Sequence, residues 1–293
     1  MNTIPLIATF IILSIGTFTD FKKREVPDWL SYGSIIIGLG ISLIISLTYM
    51  DFSYILYSIL GGIIFTGIAF AMFYMGQWGG GDSKVLMGLG TLIGFNISQV
   101  STQILPDLIQ LLFLIMFVGA LYGLLWSFFL AGMNSKNFKK KFGKISKSYD
   151  LHKKVVLAIS TLLVIIALFT PFSIRIILFA IVIAMIPSFY IWLYAKAIEK
   201  SSMQRYLPPE KLVEGDWLVE DIKDGKKVIA SAKDLGLEKD QIEKIKEMKE
   251  QGKLKKVLVR EGIPFLPSFL IAFLILVIMK LLGYNLINLV TFF

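Results

Sequence analysis

Cysteine is absent from the chain, which leaves no disulfide, no thiol nucleophile and no cysteine-ligated zinc. Histidine occurs once, at His152, so a histidine-rich metal centre or a Ser-His triad lacks its parts. Charge is scarce too: Asp, Glu, Lys and Arg make up 17% of the residues, against 56% that are hydrophobic. With a mean hydropathy of +0.73 the chain does not read as a water-soluble domain. In such a chain a net charge of +9 reports membrane topology rather than nucleic-acid binding. The opening Met1-Asn2-Thr3-Ile4-Pro5 has no charged side chain and so lacks the basic start of a cleaved signal peptide. The first apolar segment is expected to be retained.

What the chain has in quantity is apolar sequence. Eight segments stand out, at 4–18, 29–49, 54–75, 85–97, 108–133, 155–170, 174–195 and 264–284. They predict an all-α polytopic membrane protein of about eight transmembrane helices carrying a small α+β cytoplasmic insert. The fourth segment is short and glycine-rich, which predicts a tilt, burial against its neighbours or a continuation past Ile97. Gly61, Gly62 and Gly67 in the third segment and Gly88 in the fourth point either to close helix packing or simply to the higher glycine content of membrane helices. All Lys and Arg except Arg175 and Lys280 fall in alternate connections, at 19–28, 76–84, 134–154 and 196–263. The positive-inside rule puts those connections in the cytoplasm and the N-terminus outside.

The expected organisation is a membrane core with both candidate acids (1–133), a basic cytoplasmic loop (134–154), an additional transmembrane hairpin (155–195), an α+β module (196–262) and a last helix with its tail (263–293). The basic loop has two readings, a topology signal or a surface for anionic lipid headgroups. In the module, 217–219 and 227–229 alternate like short strands about an Asp224-Gly225 turn, and 256–259 is a third strand. Residues 239–250 predict a charged helix with Ile242, Ile245 and Met248 on one face and Gly252 as its stop. Glu214, Asp216, Glu220 and Asp221 read as a solvated hairpin face.

Chemistry is concentrated in Trp78-Gly79-Gly80-Gly81-Asp82-Ser83-Lys84. A charged side chain where the chain enters a bilayer is costly and marks a candidate site. Glycines beside it allow another backbone to come close. The stretch does not fit a phosphate loop, and a central acid would repel phosphate. Topology places Asp20, at the end of the first segment, on the same side as Asp82. Two carboxylates in a partly desolvated site share one proton, the arrangement by which one activates water and the other protonates a scissile carbonyl. The alternative is that each acid caps a helix and pairs with Lys22, Lys23 or Lys84.

Gly79-Gly80-Gly81-Asp82 matches the G-x-G-D signature of polytopic intramembrane aspartic proteases. Asp20-Phe21-Lys22-Lys23-Arg24-Glu25-Val26-Pro27-Asp28 is similar to the D-x-x-x-R-x-[IV]-P-[ND] pattern of type IV prepilin peptidases, and Gly262-Ile263-Pro264-Phe265-Leu266-Pro267-Ser268-Phe269 resembles their closing segment. The resemblance covers about 4–131 and 256–284. It implies an aspartic endopeptidase that removes a short basic leader from prepilins or preflagellins at the cytoplasmic membrane face, with Asp20 and Asp82 as the catalytic pair and no cofactor or metal. It also implies that Gly79, Gly80 and Gly81 admit the substrate backbone, with Lys22, Lys23, Arg24, Lys84, Pro264 and Pro267 in support. The partners implied are the precursor and membrane lipid. Bacterial members carry a cysteine-rich loop between the first two spans, and its absence here fits the archaeal branch. A presenilin-like protease, whose first site is a Tyr-Asp pair, fits less well because Asp20 follows Thr19. A proton- or cation-coupled transporter is the reading from another class, and it would place its acids near the midplane.

Overall fold

Apolar runs punctuated by proline, glycine and charge fold into helices along most of the chain. The computed structural model describes residues 3–100, 105–225 and 227–286, so the tail at 287–293 lies outside the described residues. The elements are α1 (Thr3–Lys23), α2 (Asp28–Tyr49), α3 (Ser53–Tyr74), α4 (Gly80–Ile93), α5 (Asp107–Met133), α6 (Ser135–Ser148), α7 (Asp150–Leu168) and α8 (Phe172–Ile198), then β1 (Gln204–Leu207), β2 (Trp217–Leu218), β3 (Ile222–Asp224), β4 (Lys227–Ala230), α9 (Lys239–Glu250), β5 (Val257–Arg260) and α10 (Leu266–Leu281). Prolines mark starts: Pro27 precedes α2, Pro171 precedes α8 and Pro267 lies in the first turn of α10, where a missing N–H costs nothing.

Among the described residues, α1, α2, α3, α5, α7 and α8 are long and apolar enough to cross a membrane, α10 is a shorter apolar helix, and α4, of 14 residues, is shorter still. The chain is a polytopic, mainly helical membrane protein with a small α+β insert. It divides into two compact units.

The first unit holds the described residues of Met1–Leu124, Lys233–Glu238 and Gly262–Phe293. Its core is built from Leu13 of α1, Phe65 of α3, Leu86 and Leu89 of α4, Leu111 and Ile115 of α5, and Leu266, Phe269 and Phe273 of α10. Helix α4 packs against α1, α2 and α3, so the short fourth segment is a helix buried against its neighbours. It stops at Gly94, whose φ of 72° suits glycine, and the next N–H, from Phe95, is taken up by the Tyr57 carbonyl at 2.8 Å. Where these helices cross there is no room for side chains. A Cβ on Gly61 would lie 2.2 Å from the Gly90 oxygen, and one on Gly88 would lie 1.7 Å from Ser34 Oγ. Gly67 faces open space, so the expected close packing holds for Gly61, Gly62 and Gly88 but not for Gly67.

The second unit holds Leu125–Ala232 and Lys239–Glu261. Here the expected basic loop is a helix, α6. Phe138, Phe142 and Ile145 recur at helical spacing and pack with Leu193 and Ala197 of α8. A charge count along the loop hides that stripe. The module also differs from expectation in pairing. The Asp224-Gly225 turn joins β3 to β4, because a tight turn pairs the residues that flank it. Strands β1 and β2 both pair antiparallel with β5, and β1 had no alternating signal to reveal it. Helix α9 buries Ile242, Ile245 and Met248 as its spacing predicts. The acidic residues mostly close turns and surface pairs: Asp216 accepts the Val213 N–H at 2.9 Å, Asp221 accepts the Ala232 N–H at 2.9 Å, and Glu214 pairs with Lys239 at 3.4 Å.

The two basic residues that escape the charge asymmetry have local partners. Arg175 donates to the carbonyls of Ala167 and Thr170, both at 3.1 Å, at the end of α7. Lys280 of α10 pairs with the buried carboxylate of Asp107 at the start of α5.

Candidate active site

Asp20 lies in the last turn of α1 and Asp82 is the third residue of α4, so both acids stand at helix ends rather than at mid-span. Asp20 is 6% exposed and Asp82 is partly buried. Asp20 is near enough for its charge to act on Asp82. The positive-inside rule puts them on one side of the membrane; the fold brings the end of α1 and the start of α4 together.

The glycines at 79–81 form the first turn of α4 rather than a loose loop. Gly79 is the N-cap, and its N–H meets the Asp82 carboxylate, which curls back over the end of its own helix. The positive end of the helix dipole faces that carboxylate. The three glycines differ in what surrounds them. A Cβ on Gly81 would sit 3.0 Å from Val26 Cγ2, so that space is already filled by the α1–α2 connection. A Cβ on Gly80 would have only ordinary contact, at 3.7 Å from Phe73 Cε2. The glycine run therefore lets the two acidic stretches meet: Val26, six residues after Asp20, fits into the notch one residue before Asp82.

The start of α10 closes over Asp20. The Leu266 N–H donates to Asp20 Oδ2 at 3.0 Å, across 246 positions of sequence. Arg24 adds a second tie. Its N–H donates to the Asp20 carbonyl at 2.8 Å to end α1, its backbone is left-handed with φ 58°, and its guanidinium donates to the Gly262 carbonyl. A left-handed backbone costs a non-glycine residue about 1–2 kcal/mol. Arg24→Gly is therefore expected to be about 1 kcal/mol more stable than Arg24→Ala, although both lose the Gly262 contact. Thermal unfolding of the two variants in detergent checks this. Pro264 and Pro267 bracket the same segment, and Phe265 and Phe269 place their rings 6.1 and 5.5 Å from Trp78, just ahead of the glycines.

Lys84 turns away from Asp82 and pairs with Asp28 at 2.6 Å, with its ammonium 5.3 Å from the Tyr32 ring. Asp28 is largely exposed in this pair. Asp28→Asn is expected to cost no more than about 1 kcal/mol, which a melting curve would show as a shift of a few degrees. Lys22 lies over the Phe18 ring at 5.8 Å; Lys23 is exposed.

Three further buried hydroxyls lie near these acids in the fold or along the chain. Tyr122 of α5 lies within electrostatic reach of Asp20 and Arg24, and its hydroxyl is buried. It is the one tyrosine of α5, which was the available signal. Thr17 Oγ1, one turn before Asp20, and Ser83 Oγ, next to Asp82, are buried without a hydrogen-bond partner among the described residues. Among the described residues, no group of three or more His, Asp or Glu side chains is arranged to hold a metal ion.

This geometry sits within a recognisable stretch of sequence. Residues 7–128 match the type IV leader peptidase family. The matched stretch contains both acids, Arg24 and the glycines, and it stops before the closing segment at 262–269. The chain is 42% identical over 94 residues to a preflagellin peptidase of Methanococcus voltae, covering 32% of this chain and 40% of that protein. It is 39% identical over 90 residues to a preflagellin peptidase of Methanocaldococcus jannaschii, covering 31% and 38%. A preflagellin peptidase of Methanococcus maripaludis is 36% identical over 81 residues, covering 28% and 35%. The chain thus matches about two fifths of the length of these curated relatives. No solved structure gives a significant match. The second unit lies almost wholly outside the leader-peptidase match.

Proposed function

We propose that this protein is a membrane aspartic endopeptidase that removes a short basic leader from preflagellin- or prepilin-type precursors. Asp20 and Asp82 are its catalytic pair, and they work at the cytoplasmic face of a chain whose N-terminus is outside. The observation that carries the reading is the meeting of the two acids at the ends of α1 and α4, inside the stretch that matches type IV leader peptidases. Their place at helix ends also argues against a carrier, which would hold its acids near the midplane.

In this reading one acid enters the cycle ionised and the other protonated. The ionised carboxylate takes a proton from a water molecule as its oxygen attacks the scissile carbonyl carbon, and the protonated one donates to the carbonyl oxygen. The tetrahedral intermediate then collapses. The C–N bond breaks and the amine leaves with a proton from the acid that had accepted the water's proton. The other acid recovers its proton from the gem-diol hydroxyl, which restores the starting state. A cut near the membrane boundary meets the precursor where its basic leader gives way to its apolar helix. Gly79 and Gly80 leave room for the substrate backbone on the side that Val26 does not fill.

The test is cleavage in membranes. Membranes carrying the protein are incubated with a precursor that has a basic leader joined to an apolar helix, and the product is read by mass spectrometry. The expected product is shortened by the leader alone. An uncut precursor, or a cut inside the apolar helix, overturns the proposal.

A further inference from the structure

The second unit carries a lysine face that the proposed chemistry does not use. Helix α6 contains six lysines and no acid. Lys136, Lys140, Lys144 and Lys147 recur every three or four residues and share one face, and all four are exposed. The opposite face, with Phe138, Phe142 and Ile145, is already covered by Leu193, Ala197 and Phe189 of α8. Asn137 Nδ2 fixes the helix further by donating to the Ser201 carbonyl at 2.9 Å. Among the described residues none of the six lysines has an ion-pair partner, whereas Lys153 and Lys154, just beyond α6, both pair with Asp150. The apolar face is thus spent on internal packing, and the cationic face is left for something outside the chain.

Position narrows what that is. The apolar run of α5 ends at Met133, two residues before α6, and the apolar run of α7 begins at Val155. Both ends of α6 are therefore tied to spans at the membrane boundary. Beside it, Tyr149 and Trp192 stack edge to face at 4.9 Å, and Lys196 lies 4.0 Å from the Trp192 ring centre. Paired aromatic and lysine side chains of this kind settle at headgroup depth. An acidic soluble partner would have to reach lysines held close to the ends of two spans. A basic leader would be repelled by them.

We infer that the lysine face of α6 binds the phosphate headgroups of anionic lipids and fixes the second unit against the membrane surface. Binding rests on the row of charges rather than on one pocket, so it weakens with salt and with each lysine removed.

The experiment uses the full chain, purified in detergent and offered mixed micelles of phosphatidylglycerol or phosphatidylcholine, with retained lipid counted by native mass spectrometry. Preferential retention of phosphatidylglycerol is expected. Combining Lys136→Gln, Lys140→Gln, Lys144→Gln and Lys147→Gln should weaken it by at least about 100-fold, while the four Lys→Arg changes should preserve it. If the Gln variant does not accumulate, raising salt from about 0.05 to 0.5 M should release the lipid from the unaltered protein. Equal retention of the two lipids, insensitivity to salt, or full retention by the Gln variant overturns the inference. So does displacement of phosphatidylglycerol by an acidic peptide at equal charge, which would make the face a protein-docking surface.

Discussion

Asp82→Asn is expected to slow leader removal in membranes by about 10²–10⁴-fold while leaving the amount of protein unchanged. Asp20→Asn should do the same. The amide keeps the size of the carboxylate and still offers an oxygen to the Leu266 N–H, so the contact at 3.0 Å can persist without the charge. Fold and chemistry are separated by that choice of substitution. Because the two acids serve one step in the proposed mechanism, the double variant should be little worse than either single one. Asp→Glu at either position should also fail, since moving a reacting group by about 1 Å costs on the order of 100-fold. Cleavage at the unaltered rate in Asp82→Asn would sink the assignment of the pair, and normal cleavage in Asp20→Asn would leave Asp82 in need of another partner.

The second large effect lies in the helix crossings of the first unit. Gly61 and Gly90 meet backbone to backbone: a Cβ on Gly61 would sit 2.2 Å from the Gly90 oxygen, and one on Gly90 would sit 2.4 Å from the Gly61 oxygen. Neither neighbour is a side chain that can swing aside. Gly61→Leu is therefore expected to cost about 3 kcal/mol or more, enough to deplete the protein from membranes and lower its melting temperature by at least about 6 °C. Gly67→Leu is the control, six residues further along the same helix and facing open space. Equal melting temperatures for the two variants would contradict the close crossing of α3 and α4. Gly88 offers a softer version, because its close neighbour is the Ser34 side chain, and Ser34→Gly should recover part of the loss in Gly88→Ala.

Much of this was legible in the sequence because the bilayer is a severe solvent. It forces apolar residues into long runs, and the cost of charge sorts the lysines and arginines to one side. The apolar runs followed from that, and among the described residues six of them are helices long enough to cross a membrane, against about eight expected; the side shared by Asp20 and Asp82 remains an expectation from the same rule. The periodic face of α9, Ile242, Ile245 and Met248, was equally plain. What stayed hidden depends on partners distant in the chain. The start of α4 fell in the expected connection 76–84, since three glycines have little helix propensity and the turn they form is closed by the Asp82 carboxylate and packs beside Val26. Charge masked α6, whose apolar stripe acquires its meaning only from α8. Strand β1 exists because β5, some fifty residues later, lends it an edge. Nothing near Asp20 in the sequence reveals that its carboxylate takes a proton donor from the start of α10.

That last bond has a consequence for how the protein is made. Asp20 and Asp82 leave the ribosome early, and both can enter the membrane long before Leu266 is translated. Until α10 inserts, the Asp20 carboxylate lacks its backbone donor, and Trp78 lacks the Phe265 and Phe269 rings beside it. A nascent chain thus carries both acids in an unfinished site, and its last apolar helix is the part that completes it.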